Sequence, residues 1–318
     1  MITTIGSRFF EASLDLLAAD PVLPCEIWIR HGTGGPMLYR ARDVPFCSNQ
    51  LERLRACGID TVLVPREDES AWASFVEQHL WTWVQDSTLP AARRVRVLFG
   101  ATEAILKSVL PAPDAPGMAG RIADLADAAA VVLAGPDAAL EAIQPRDYAD
   151  ELPAHSAQVA VLAAAIAALA GVGPDTLASI VRGGLVHDCG RRQELARGAG
   201  FAQASRDWQR MRAHPARGAE LLEQAGWKDR IALEICRSHH ERLDGSGYPR
   251  GIGAEAISDE VRVVAIADTF ATLTARRDER ANARRPGEAL AAVAGSAARG
   301  FDPRFAQPFA RAVLLRGR

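Results

Sequence analysis

Residues 159–171 read VAVLAAAIAALAG, a run of thirteen residues without a charged or polar side chain. Such a segment must be withdrawn from water, and its many alanines favour a helix that packs closely against its neighbours. The run is shorter than the roughly 20 residues that a bilayer-spanning helix needs. We therefore predict a buried core helix here and no membrane span.

The composition is that of an ordinary globular protein. The chain has 318 residues, of which 48% are hydrophobic and 24% charged, and its net charge is −2. This length allows one large domain and a smaller one. The near-neutral charge argues against a surface that coats DNA.

The cysteines and the N-terminus predict a cytoplasmic location. The five cysteines are scattered and form no CxxC pair, which indicates reduced thiols rather than a disulfide framework or a zinc ribbon. The first residues, MITTIGSRFFEASLDLL, lack the basic start and long apolar core of a signal peptide.

The predicted fold is mainly α, with a small α+β module ahead of an all-helical C-terminal bundle. We assign the N-terminal regulatory module to residues 1–88 and a helical linker to residues 89–145. A Pro- and Gly-rich segment at 111–120 is the best hinge candidate in the linker. Residues 146–318 are assigned to the bundle, which is interrupted by a non-helical insert at 244–251.

Within the module, alternation around Trp28 and a turn at 32–36 predict a β-hairpin. Ser48 is positioned to cap a short helix, and TVLVP at 61–65 is typical of a buried strand. An amphipathic helix follows from Ser70.

Two pairs of adjacent residues in the bundle carry ligand chemistry. His187 and Asp188 offer an imidazole nitrogen and a carboxylate that can bridge two ions. His239 and His240 would project about 100° apart on a helix, which suits two neighbouring metals better than one. Each pair alone also fits an ordinary role, as a helix-end histidine beside a solvated acid or as a chance pair.

Further candidates lie on either side of these pairs. Glu151 and His155 are spaced four apart and would share a helical face, although Pro153 between them favours a helix that begins only there. Asp268 lies in an apolar helical segment, where a buried carboxylate needs a cation, either a metal or an arginine. His214, in the sequence HP, tells little by itself.

In order and spacing, this set resembles the HD-GYP family. The segment HHERLDGSGYP at 239–249 nearly spells that family's signature. The supporting motifs span about residues 147–310 and are HS at 155–156, HDCG at 187–190, HP at 214–215, ADTFATLTARR at 267–277 and FDP at 301–303.

The resemblance implies a helical bundle that holds two or three divalent transition-metal ions, commonly iron or manganese. It implies hydrolysis of cyclic di-GMP to linear pGpG, and in some members onward to GMP, by a metal-bridging hydroxide. Asp188 would bridge two ions, and the presence of Glu151 resembles the trinuclear subgroup. The implied ligands are Glu151, His155, His187, Asp188, His214, His239, His240 and Asp268.

Substrate contacts are also implied, together with protein partners. Arg191, Tyr248, Arg277 and Arg280 are the candidates for gripping the substrate, and Arg191 is counted with Asp188 as catalytic. The loop that displays Tyr248 would border the site and contact a GGDEF-domain partner. A homodimer is compatible with the sequence.

The chain departs from the family pattern in three places. Arg191 stands where the family usually has lysine, and residues 191–211 lack the usual Ile-Pro and Lys-Pro-Gly features. Ala271 stands where many members have a second aspartate. These departures keep two other hypotheses open, a catalytically weak metal-binding regulator that acts through partner contacts, and a hydrolase of another cyclic dinucleotide.

Overall fold

The computed structural model describes residues 8–17, 22–30, 35–45, 48–144, 152–191, 208–275, 285–295 and 299–316. The chain divides into two compact units, Met1–Ser108 and Val109–Arg318, and each is described by itself.

The first unit contains a four-stranded antiparallel sheet with strand order β1-β4-β2-β3. β2 and β3 form the predicted hairpin, and β4 is the predicted buried strand. β1 pairs with β4 along its whole length, from Phe9 opposite Pro65 to Ser13 opposite Thr61. β1 was not predicted from the sequence. The strands are β1 Phe9–Ser13, β2 Ile27–Arg30, β3 Pro36–Arg40 and β4 Thr61–Pro65.

The helices of the first unit follow the predicted pattern. The short helix ends near Gly58, whose φ of 72° is a left-handed conformation that glycine adopts without strain. The amphipathic helix buries Trp72, Phe75 and Val76 on one side. The helices are α1 Ser48–Ala56, α2 Glu69–Gln85 and α3 Ala91–Val109, with short 3-10 turns at Leu14–Leu16 and Arg66–Asp68.

The second unit is helical throughout its described residues apart from the loop around 240–258 and short connections. The mainly α fold with a small N-terminal α+β module is therefore confirmed. The helices are α4 Met118–Leu133, α5 Pro136–Ala142, α6 Leu152–Leu169, α7 Pro174–Val186, α8 Trp208–Gln224, α9 Arg230–Ser238, α10 Asp259–Thr274, α11 Pro286–Ala294 and α12 Pro303–Arg316, with 3-10 turns at Cys189–Arg191 and Ala254–Ala256.

Helix α6 is the predicted apolar core helix, and it packs against α4, α5, α7, α10 and α12. Its eighteen residues have the length and composition of a membrane span, so the argument that the segment is too short does not hold. Because 83% of the helix is buried inside the unit, the prediction of a buried core helix is confirmed.

Small residues let α7 approach its neighbours closely. A Cβ atom added to Gly184 would lie 2.7 Å from the Cα atom of Ala160 on α6. A Cβ atom added to Gly183 would lie 2.6 Å from the side chain of Ile235 on α9. The glycines therefore bring the C-terminal end of α7 into the middle of the bundle.

The FDP motif at 301–303 fastens α12 to α10. Asp302 is buried, and its carboxylate accepts hydrogen bonds from Arg262 of α10 at 2.8 Å and from the backbone N–H of Arg304 at 2.9 Å. Burial raises the pKa of Asp302, but the hydrogen bonds from Arg304 and Arg262 outweigh it and lower the pKa to about 2. The motif therefore connects α12 to α10 through the carboxylate of Asp302.

Replacing Asp302 with asparagine is expected to lower the free energy of unfolding at pH 7 by about 1–2 kcal/mol. A carboxyl whose pKa is depressed by folding contributes stability above its unfolded value, and that contribution disappears as the pH falls towards 2. Urea unfolding of both proteins between pH 7 and pH 2.5 measures the difference, which should shrink with pH. The exposed Asp124→Asn is the control, and an equal loss there would contradict the assignment.

Candidate metal centre

His187 and Asp188 directly follow the last residue of α7, where the close packing of that helix brings them into the core. The His187 ring is fully buried. Its Nδ1 lies 2.7 Å from the carbonyl oxygen of Gly184, and since a carbonyl only accepts, Nδ1 carries the proton. The Nε2 lone pair of His187 is therefore turned towards the centre, where it finds no hydrogen-bond partner among the described residues.

Two more buried histidines are held in the same way. The Nδ1 atom of His214, on α8, donates to the carbonyl oxygen of Met211 at 2.6 Å. His239 follows α9, and its Nδ1 donates to the carbonyl oxygens of Cys236 at 3.1 Å and Ile235 at 3.2 Å. This backbone donation fixes the tautomer and leaves Nε2 free as a ligand atom, an arrangement common for histidines that bind metals.

Asp188 lies between these rings and turns its two oxygens to different sides. Oδ1 is 2.9 Å from Nε2 of His214 and 3.7 Å from Nε2 of His239. Oδ2 is 3.7 Å from Nε2 of His187 and 3.1 Å from Nη1 of Arg191. A carboxylate in this position can serve two neighbouring ions at once.

Asp268, on α10, forms the other side of the centre. Its Oδ1 is 3.1 Å from Nε2 of His155, on α6, and 3.9 Å from Nε2 of His187. Its Oδ2 is 3.5 Å from Nδ1 of His240. Thr272, one turn later, donates its hydroxyl to Oδ1 at 3.4 Å. Among the described residues, the groups within ion-pair distance of this buried carboxylate are histidines rather than an arginine, so a metal ion is the cation that the surroundings favour.

The ligand atoms fall into two groups that share Asp188. One group contains Asp188, His214, His239 and His240, the other His155, His187 and Asp188, and within each group the ligand atoms lie within 4.8 Å of one another. The Nε2 atoms of His214 and His239 lie 3.2 Å apart, close enough for both to bind the same ion. The mixed nitrogen and oxygen donors fit divalent transition-metal ions.

The protonation states also suit metal binding. Burial lowers the pKa of His187 to about 4 and holds the pKa of His240 well below its usual value. Burial raises the pKa of Asp188 and Asp268, but the surrounding cationic and imidazole groups outweigh it and hold both below the usual range. At neutral pH His187 and His240 are therefore neutral and the carboxylates of Asp188 and Asp268 are ionised, the forms that coordinate metals.

One side of the centre opens towards solvent. The side chain of His240 is 16% exposed, whereas those of His187, His214 and His239 are fully buried. The ring of Tyr248 lies on His240, with 4.5 Å between the ring centroids. The predicted loop residue thus borders the metal-ligand cluster on its accessible side.

Comparisons with known proteins agree with this geometry. A family model described as HD domain matches residues 146–305, about half of the chain. A cyclic di-GMP phosphodiesterase of Pseudomonas aeruginosa is 29% identical over 196 residues, which cover 60% of this chain and 46% of that protein. The chain belongs to the HD-GYP branch of the HD domain family.

Other relatives of this HD-GYP protein match shorter segments. The cyclic di-GMP phosphodiesterase response regulator RpfG of Xanthomonas campestris pv. campestris is 42% identical over 34% of this chain and 27% of its own length. The 3′3′-cGAMP-specific phosphodiesterase 1 of Vibrio cholerae is 34% identical over 40% of this chain and 30% of its own length. The matched segments thus span less than half the length of these relatives.

A solved structure shares the fold over nearly the whole chain. Bd1817, an HDG"Y"P protein from Bdellovibrio bacteriovorus, aligns with 97% of this chain and 100% of its own at a TM-score of 0.66. The sequence identity is 16%, so the likeness concerns the fold alone.

The structure brings most of the predicted site residues of this HD-GYP domain together. Glu151, Arg277 and Arg280 lie outside the described residues. Arg191 is buried, with 4% of the residue exposed, and donates to Asp188 from the 3-10 turn that follows it. Its guanidinium therefore faces the carboxylate of Asp188. This orientation was not predicted from the sequence, which suggested that Arg191 grips the substrate.

Sequence reasoning missed two residues that position the site. Glu241 is buried, and its carboxylate accepts the backbone N–H groups of Arg250 at 2.7 Å and Ile252 at 3.2 Å, which ties down the loop that carries Tyr248. Its place directly after His240 in the signature was the available signal. Gly190 was missed because close approach between backbones leaves no distinctive pattern in one sequence.

Gly190→Ala is expected to disturb the centre without removing a ligand. The added Cβ atom would lie 2.1 Å from the carbonyl oxygen of His214, so the turn after Asp188 must move away from α8. We expect about 1–3 kcal/mol of destabilisation and a lower content of bound metal, measured by thermal unfolding and elemental analysis. Gly120→Ala, at an open helical position, should leave the metal content unchanged and keep or raise the stability.

Proposed function

We propose that the chain is a metal-dependent phosphodiesterase that hydrolyses cyclic di-GMP to linear pGpG, and onward to GMP if the product is retained. The observation that carries this proposal is the sharing of Asp188 between two groups of buried ligands. A pair of ions held by a common carboxylate is a recurrent arrangement for in-line attack on phosphate esters.

The residues would divide between two ion positions. Asp188, His214, His239 and His240 are proposed to hold one ion, and Asp188, His155 and His187 the other. Asp268 contacts histidines of both groups, and Glu151 is proposed to complete a third position. Iron and manganese are the proposed metals because the family resemblance implies them, and the mixed nitrogen and oxygen donor set is compatible with both.

When bound, the ions would supply an activated water at neutral pH and neutralise charge on the phosphate. The backbone hydrogen bonds of His187, His214 and His239 hold each ligand lone pair at a fixed direction, which limits reorganisation during the reaction. The buried wall keeps bulk water out, and substrate would enter beside His240 and Tyr248.

The substrate class is supported by the relatives. They are named as phosphodiesterases of cyclic di-GMP and of 3′3′-cGAMP, so a cyclic dinucleotide is the shared chemistry. Cyclic di-GMP is our choice because the relative that is 42% identical and the relative that aligns over 196 residues both carry that name. The contact with a GGDEF-domain partner, a homodimer and a cytoplasmic location remain predictions.

Asp188→Asn is expected to lower the turnover of cyclic di-GMP at least about a hundredfold, because both ion positions lose their common ligand. Turnover is measured by chromatography of linear products, with protein prepared without oxygen and loaded with iron or manganese. Asp244→Asn, in the exposed part of the loop, is the control and should stay within about twofold. Fully loaded wild-type protein that leaves cyclic di-GMP intact but cleaves 3′3′-cGAMP would move the assignment to the other substrate.

The two-position arrangement predicts different metal contents for different ligand variants. His155→Ala should lose the ion of its own group and keep the other, whereas Asp188→Ala should lose both. Elemental analysis of the purified variants gives the number of ions per chain. Equal losses in the two variants would show that the groups do not act as separate positions.

A catalytically weak regulator is the second candidate, and the contact of Arg191 with Asp188 Oδ2 favours it. In that case the guanidinium competes with an ion for one oxygen of the carboxylate, and Arg191→Lys should raise turnover by about tenfold or more. If the chain is an active phosphodiesterase as it stands, Arg191→Lys should change turnover less than about tenfold while Arg191→Ala reduces it.

A further inference from the structure

Three arginines of the first unit converge on one buried carboxylate, that of Asp15. Asp15 lies in the 3-10 turn after β1, with 9% of the residue exposed. Its Oδ1 is 2.9 Å from Nη2 of Arg55 and 3.4 Å from Nε of Arg93, and its Oδ2 is 2.6 Å from Nε of Arg96. We call Arg55, Arg93 and Arg96 the arginine cluster.

The arginine cluster carries more positive charge than Asp15 can balance. Three guanidinium groups face one carboxylate, which leaves an excess of two positive charges among the residues that make these contacts. Burial lowers the pKa of Arg93, and the charges of Arg55 and Arg96 lower it further against the opposing effect of Asp15. The nearby Asp86 is exposed and accepts hydrogen bonds from Thr88.

A buried donor on the same helix lacks an acceptor. The Nε atom of Arg94, next to Arg93 in the chain, is buried and has no hydrogen-bond partner among the described residues. Native structures rarely leave buried donors unpaired, and such groups commonly mark a missing ion or water. The excess charge of the three arginines around Asp15 favours an anion here, and the unpaired Nε of Arg94 on the same helix agrees with it.

The outer edges of the arginine cluster reach solvent. The exposed fractions of the side chains are 33% for Arg55, 28% for Arg93 and 47% for Arg96. A ligand can therefore reach the guanidinium groups from solvent while Asp15 contacts them from the buried side. Arg93 and Arg96 also lie in the first two turns of α3, where the helix dipole favours negative charge. The cluster is thus organised before any ligand arrives.

We propose that the arginine cluster is a binding site for a phosphate group, presented by inorganic phosphate or by a nucleotide. Planar guanidinium forks match phosphate oxygens in bidentate fashion, and the cluster uses arginine at every position, without lysine. One arginine would be enough to neutralise Asp15, so a purely structural role leaves the other two unexplained. The site lies in the first unit, apart from the residues of the metal centre, and does not rest on the proposed phosphodiesterase activity.

The test uses the full chain treated with chelator, because phosphate would also bind at a loaded metal centre. Binding of inorganic phosphate, guanosine 5′-monophosphate and cyclic di-GMP is measured by calorimetry at low salt. Arg96→Ala is the main variant, since Arg96 is the most exposed of the three and its loss leaves Asp15 paired with two arginines. Arg53→Ala is the matched control, because it removes an exposed arginine of α1 that does not contact Asp15.

We expect Arg96→Ala to weaken phosphate binding by about tenfold or more and Arg53→Ala by less than about twofold. Arg96→Lys should bind phosphate more tightly than Arg96→Ala but less tightly than wild type. Lysine keeps the positive charge but lacks the planar guanidinium that binds phosphate through two hydrogen bonds. A wild-type chain that binds none of the three compounds at about 10 mM overturns the proposal whatever the variants do. Equal effects of the Arg53 and Arg96 variants also overturn it, since they would indicate general attraction of anions.

Phosphorus NMR of the wild-type and variant chains separates the two sources of the phosphate group. Stronger binding of the nucleotide than of inorganic phosphate, lost in Arg96→Ala, identifies a nucleotide site. Equal binding of both identifies a site for the free ion. Thermal unfolding in the absence of phosphate checks that each variant is folded before its affinity is compared.

Discussion

The geometry of the second unit depends on burying the ionised carboxylate of Asp188. An unpaired charge there would cost several kcal/mol, and one or two neutral histidines cannot offset that cost. The chain surrounds it with imidazole rings and with Arg191, and cations at the carboxylate would offset the cost of its burial. Arg191 supplies one such charge from the protein, and ions would supply the rest. Metal affinity and fold stability are therefore linked through this residue.

Tight helix packing makes that burial possible. The alanines of α6 and the glycines of α7 let the two backbones come so close that Gly184 packs directly on Ala160. Larger side chains would prevent this contact. His187 and Asp188, directly after α7, are then buried next to His155 of α6. The alanine content of the sequence and the position of the ligands are thus two aspects of one packing arrangement.

Much of this was predictable from the sequence because ligand chemistry and apolar periodicity are local signals. The hairpin around Trp28, the buried α6 and the convergence of the histidine motifs follow from such signals. β1 did not, because Phe9–Ser13 is stabilised by pairing with a distant strand rather than by its own pattern. The FDP motif was read as part of the family pattern, but Asp302 proves to join helices. A sequence motif can thus be recognised before the physical role of its residues is known.

Arg191 shows where inference from a single residue reaches its limit. A change from lysine to arginine keeps the charge, and sequence comparison alone frames the question as how each side chain grips a phosphate. The guanidinium instead lies buried against Asp188. Arg191 follows Asp188 by three residues in a tight turn, so its Nη1 can donate to Oδ2 of that carboxylate. A cation in that place competes for the same oxygen that a second ion would use. The choice between the two proposed functions, an active phosphodiesterase and a catalytically weak metal-binding regulator, therefore depends on how firmly Arg191 holds one carboxylate oxygen of Asp188.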